Sequence, residues 1–192
     1  MQRGAPVRRG LLAEAAPLPR SCRPLLAFGA AVGAALAAAR EEPLGAVLAL
    51  ASYGAWSAWL CASDVRERRL PNAVLLGALC TSILPLAALR ASTAGDQRAG
   101  LALGVAGAVA LCGGALWAIA PGGLGAGDAK LAPLAAAGAV LGGAEAALLR
   151  FALALCAGLL IAGAATRLRG RATFALGPVL LAASWTALLP AG

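Results

Sequence analysis

The chain has 192 residues, 61% of them hydrophobic and 12% charged, with a formal net charge of +8 and a mean hydropathy of +0.84. A soluble domain of this length needs far more polar surface. The five cysteines (Cys22, Cys61, Cys80, Cys112 and Cys156) form no CxxC pair and the chain has no His, which argues against a zinc site or a disulfide framework.

The apolar residues fall into blocks long enough to cross a bilayer, so the expected fold is all-α: a polytopic membrane helix bundle of about six to seven transmembrane helices. Ala, Leu, Gly and Val build these blocks, and small residues let helices approach closely. Residues 1–24 read as a basic cytoplasmic tail, expected to be poorly ordered, and residues 25–192 as one transmembrane domain. Seven candidate spans follow, near Leu25–Ala39, Leu44–Ala62, Pro71–Leu89, Gly100–Ala120, Leu131–Gly143, Leu148–Thr166 and Thr173–Leu189. The first and fifth are short for a bilayer that needs about 20 residues. The first, with Ala37-Ala38-Ala39 behind it, also has the shape of a signal peptide. An uncleaved first helix is the expectation, because the tail is long and the next span follows at once.

Loop charge orients the bundle. With the N-terminus in the cytoplasm, inside segments hold 12 basic residues, among them Arg66, Arg68, Arg69, Lys130, Arg167, Arg169 and Arg171. The outside segments hold 4: Arg40, Arg90, Arg98 and Arg150. This distribution explains the positive charge better than nucleic acid does, since no basic face with interleaved aromatics is present. It predicts a multi-pass protein of the inner membrane with two unusual aspartates, Asp64 and Asp128, on the cytoplasmic side.

Asp64 lies in SDVRERRLPN and Asp128 in GLGAGDAKL, each where an apolar sequence pauses. Carboxylates near hydrocarbon are costly and mark functional sites. Asp64 alone, beside three arginines, reads equally as a helix cap or a loop ion pair. Asp128 alone reads as an N-cap after a flexible turn. The run Pro121–Asp128 is too rich in Gly and Pro for a regular helix, and its glycines would let another backbone approach. Taken together, the two acids have the composition of an aspartyl-protease pair, one ionised to activate water and one protonated to donate to the scissile carbonyl. Without His, no Ser-His or Cys-His pair competes.

The surroundings of these acids resemble the type IV prepilin peptidase family. DVRERRLPN resembles its first motif, GAGDAKL its GxGDxKL motif, and ALGPVLLA its final-helix Gly-Pro segment, in family order over about Leu44 to Leu189. The resemblance implies that Asp64 and Asp128 are the catalytic pair. It also implies that Gly125 and Gly127 shape the second aspartate's turn, that Lys130 holds it near the interface, and that Pro71 and Asn72 position the first turn. It further implies a membrane aspartic endopeptidase, without metal or cofactor, that removes the basic leader of prepilins or pseudopilins at the cytoplasmic face. Pilus or secretion machinery and the lipid bilayer are its implied partners. The cytoplasmic segment with paired CxxC motifs found in larger members, which also methylate, is not in this chain, so methylation is not expected and Flp-type or similar pili are the implied context. A small proton- or cation-coupled transporter using the same acids is the alternative, and an inactive scaffold a third reading. Glu145 is expected in an outside loop, and Trp56, Trp59, Trp117 and Trp185 as interface anchors or packing.

Overall fold

The computed structural model describes residues 22–67, 70–119, 125–143, 146–168 and 175–189, which are helical and carry no strand. Helix α1 spans Arg23–Ala38, α2 Leu44–Glu67, α3 Asn72–Ser92 and α4 Arg98–Ile119. Helices α5 (Ala126–Gly142), α6 (Ala147–Leu168) and α7 (Gly177–Ala187) complete the described bundle. Among the described residues four helices, α2, α3, α4 and α6, are long and apolar enough to cross a membrane. The chain is thus a polytopic helical membrane bundle.

Most spans fall where hydropathy predicts them, and the differences lie at the ends. The second span was expected to stop at Ala62, yet α2 runs on to Glu67 and carries Asp64 inside its last turns. Pro71 precedes α3 rather than opening it: as the extended N-cap (φ −63°, ψ 129°), it offers its carbonyl to the amides of Val74 and Leu75. That position suits a residue without an N–H, since the first amides of a helix have no internal partner. The helix that carries the fifth apolar stretch begins before that stretch does. Residues 126–128 are already helical, so only Gly125, extended at φ −67° and ψ 140°, interrupts the described part of the Gly-rich run. Residues 121–124 of that run lie outside the described residues, as do 1–21, Arg68, Arg69, Glu145, Arg169 and Arg171.

Helix α5 is the centre of the bundle. Its residues Leu134 to Gly142 are buried without a break, and it packs on α4, α6 and α7. A helix enclosed on every side needs no amphipathic pattern. Its Ala and Gly residues are what let the neighbours close in. A Cβ on Gly138 would fall 2.7 Å from the Tyr53 ring, whose hydroxyl hydrogen-bonds Ser184 of α7 at 2.7 Å. By contrast, only Ala102 of α4, and Ala147 and Phe151 of α6, are buried. These two helices form the outer wall.

Helices α1 and α2 meet backbone to backbone. A Cβ on Gly29 would lie 2.3 Å from the Gly54 carbonyl oxygen, and one on Gly33 2.1 Å from that of Leu50. Such contact is possible only with glycine. Helix α3 contains a π-helical turn over Leu79–Ile83, just before Pro85, which cannot supply an amide to the helical ladder. Thr81 there donates to the Gly77 carbonyl at 2.9 Å and accepts from Trp56 Nε1 at 2.7 Å. Trp56 stacks on Trp59 and Trp185 lies against Tyr53, and these three pack, partly buried, against the core; Trp117 is exposed.

The four arginines expected outside gather at one end and cap helix C-termini. Arg40 donates to the carbonyls of Gly142 and Leu188, and Arg90 to that of Leu141 at 3.1 Å. Arg98 donates to Gly143 at 3.1 Å and Arg150 to Leu189 at 2.5 Å. Helices α5 and α7 are short, and their last carbonyls have no partners of their own. Cations are also the favoured charge there. Glu42 at 2.5 Å from Arg90 and Asp96 at 2.9 Å from Arg98 balance part of the charge.

Candidate active site

The opposite end of the bundle collects the C-terminus of α2 and the N-termini of α3, α5 and α7. Asp64 is 6% exposed there, on α2. It accepts the amide hydrogen of Gly177, the first residue of α7, on Oδ2 at 2.8 Å. Among the described residues it makes no ion pair; Arg66, the nearest described arginine in sequence, points instead to Cys22 Sγ at 3.7 Å. The loop ion pair considered for Asp64 is therefore absent among the described residues.

Asp128 is the third residue of α5 and not its N-cap, which is Gly125. It precedes the apolar stretch that starts at Leu131 and is half-buried. Burial, followed by the negative charge of Asp64, pushes its carboxyl up to about 6, while the Gly125 amide pulls the other way. Residues 64 positions apart are thus electrostatically coupled across two helices.

At both carboxylates a side chain in place of glycine would crowd the acid. A Cβ on Gly125 would stand 2.9 Å from Asp128 Oδ2, and one on Gly177 2.7 Å from Asp64 Oδ2. Gly127 faces the first motif: its Cβ would be 3.1 Å from Leu70 Cδ1. Neither Gly125 nor Gly127 has a positive φ, so close approach and not turn conformation selects them.

Two further residues join the motifs. Lys130 Nζ donates to Asn72 Oδ1 at 3.0 Å, tying the start of α3 to the start of α5. Both line a groove of about 440 Å³ between α3, α4 and α5, otherwise apolar, with Leu76, Leu79, Leu103 and Leu134 on its walls. Among the described residues no group of three His, Cys, Asp or Glu side chains is arranged to hold a metal.

The structure therefore brings together Asp64, Asp128, Gly125, Gly127, Lys130, Pro71 and Asn72 at one end. The residue whose part the sequence did not disclose is Gly177. Its Gly-Pro segment carried part of the family resemblance, but nothing in the sequence connects it to Asp64, 113 positions away.

A helical membrane bundle with two coupled carboxylates at one end defines a polytopic membrane protein with an acidic polar site. The family is shown by its sequence model: the type IV leader peptidase family matches residues 50–163, more than half of the chain and both aspartates. The chain belongs to that family, and so to the membrane peptidases. Gly177 lies beyond the matched segment. No curated protein and no solved structure matches the chain.

Proposed function

We propose that this protein is an aspartic endopeptidase that removes the leader of type IV, Flp-like prepilins or pseudopilins, with Asp64 and Asp128 as the catalytic pair. The observation that carries the reading is the coupling of the two acids at one end of the bundle, each seated against a glycine. Two neighbouring carboxylates in a partly apolar site do not readily both ionise, which is the state that general acid/base hydrolysis uses. Gly125 and Gly127 keep the space around Asp128 and Leu70 open, and Asn72, Pro71 and Lys130 hold the two motifs in register.

The site opens at the cytoplasmic face of the inner membrane in this reading, as the bias of loop charge requires. The precursor's basic leader lies outside the bilayer. The apolar groove beside Asn72 and Lys130 gives the rest of the substrate a path from the lipid. The partners are the precursor, the bilayer and pilus or secretion machinery; no metal or cofactor takes part.

Co-expression with prepilin-like precursors from the same genome, followed by immunoblotting for leader removal, tests the reading. Wild-type protein is expected to shorten the precursor, and Asp64→Asn and Asp128→Asn variants, inserted to the same level, are expected to leave it intact. Processing that survives both substitutions sinks the mechanism. A transporter would leave the precursor at full length in every case.

A further inference from the structure

The two carboxylates do not sit in equivalent surroundings. Among the described residues Asp64 accepts one hydrogen bond, from the Gly177 amide at the opening of α7. Leu176 is the N-cap of that helix and Pro178 follows Gly177, so the first turn of α7 is set toward the end of α2. The amides and positive end of a helix favour an anion in front of them. A side chain at Gly177 would displace the Asp64 carboxylate, since its Cβ would approach Asp64 Oδ2 to 2.7 Å and Cγ to 3.1 Å. Among the described residues Asp128 has the Gly125 amide from its own turn and lies in the field of Asp64.

We propose that Gly177 is a positioning residue that makes the pair asymmetric: its amide holds Asp64 as the anionic, water-activating carboxylate and leaves Asp128 as the proton donor. This assignment rests on the peptidase reading above and divides the labour within it. Asp64 Oδ2 is engaged by the amide, so Oδ1 is the oxygen that meets water. It takes a proton from water as the water oxygen bonds to the scissile carbonyl carbon, while Asp128 gives its proton to the carbonyl oxygen. The neutral diol then collapses: the C–N bond breaks, the nitrogen takes the proton now on Asp64, and Asp128 recovers one from a diol hydroxyl. Each carboxyl ends as it began.

The other charged and titratable groups around Asp64 are few. Among the described residues, those on α2 are Cys61, Arg66 and Glu67, with Arg66 directed to Cys22. The start of α1 adds Arg23, α5 contributes Asp128 and Lys130, and Lys130 is held by Asn72 of α3. The first turn of α7 has no titratable side chain.

Infrared spectra of the purified full-length protein at about pH 5, where ordinary carboxyls are largely ionised, read the proton without any need for activity. The protonated-carboxyl band of the wild type is expected to vanish in Asp128→Asn. A band that persists in Asp128→Asn overturns the assignment. In the cleavage assay, Gly177→Ala is expected to move the acidic limb of the pH–rate profile up by roughly one pH unit, the loss of one hydrogen bond to a charged group, with KM unchanged. A merely structural Gly177 would lower the amplitude and leave the limb in place, which also overturns the proposal. If Gly177→Ala does not fold, the infrared comparison still decides, because it keeps Gly177. Failure of the peptidase reading shows separately, as an uncleaved precursor with the band assignment intact.

Discussion

Lys130 donates to the side-chain oxygen of Asn72 at 3.0 Å, joining two motifs that lie 58 positions apart. This contact and the packing of Gly127 on Leu70 hold the start of α3 against the start of α5, and with it the register of Asp128 relative to Asp64. Removal of the contact is expected to lower cleavage through geometry. Because the pair is exposed, Asn72→Ala and Lys130→Met each are expected to reduce kcat/KM by roughly three- to tenfold, with stability changing by less than about 1 kcal/mol. The double variant is expected to lose no more than the worse single one. Fully additive losses in the double-mutant cycle would show that the two residues act independently.

The glycines make a graded series. Gly125→Ala crowds Asp128 Oδ2, and Gly127→Ala crowds Leu70. Gly107 of α4 has nothing within 4 Å of an added Cβ. Gly125→Ala is expected to lower kcat most and Gly127→Ala less. Gly107→Ala is expected to keep full activity and gain up to about 1 kcal/mol from helix propensity. Steady-state cleavage and thermal unfolding in detergent measure all three, and equal activity across the series would remove crowding as the reason for glycine.

Asp128 also sets a pH dependence of stability. Its carboxyl is raised to about 6 in the folded protein, against an ordinary value near 3.9. The folded state therefore binds the proton more tightly than the unfolded state between these values, and stability falls as pH rises through that window. Asp128→Asn carries no such charge. It is expected to have a higher Tm than the wild type at about pH 7.5, and the gain is expected to shrink as pH drops through about 6 and to vanish near 4. A gain that does not depend on pH would contradict this origin.

At the far end Arg90 is buried between Glu42 and the Leu141 carbonyl. Arg90→Ala strands a carboxylate and a helix terminus. The expected loss is about 3 kcal/mol or more in unfolding free energy, with kcat per folded molecule unchanged because Asp64 and Asp128 lie at the other end. A Tm within a degree or so of wild type would show that the ion pair contributes little.

Helix α1 is expected to remain part of the working protein. Its glycine face meets the α2 backbone, and Gly33→Leu would drive a side chain into the Leu50 carbonyl. Overpacking of this kind costs about 1–3 kcal/mol. Intact-mass analysis of purified protein is expected to include residues 23–38, and Gly33→Leu to lower Tm. A mature chain starting after Ala39, fully active, would instead make α1 a signal sequence.

Much of this protein is determined by its sequence alone. Apolar blocks separated by charged breaks require a helical membrane bundle, because backbone amides in lipid must be satisfied within each segment. The acids, the glycines around Asp128 and the Leu70-Pro71-Asn72 turn were legible for the same local reason: each is a costly or conformationally special residue in an apolar setting. Helix ends were less legible, since hydropathy marks apolar residues and not hydrogen bonding. That is why α2 passes Asp64 and α5 starts before Asp128. What only the tertiary structure decided are the long-range partners. Gly177 reaches Asp64 across 113 positions, Lys130 reaches Asn72, and the four arginines expected outside turn from membrane-topology markers into caps on α5 and α7. A hydrogen bond between helices depends on how their ends are brought together by packing, and no periodicity within one helix encodes its partner's position.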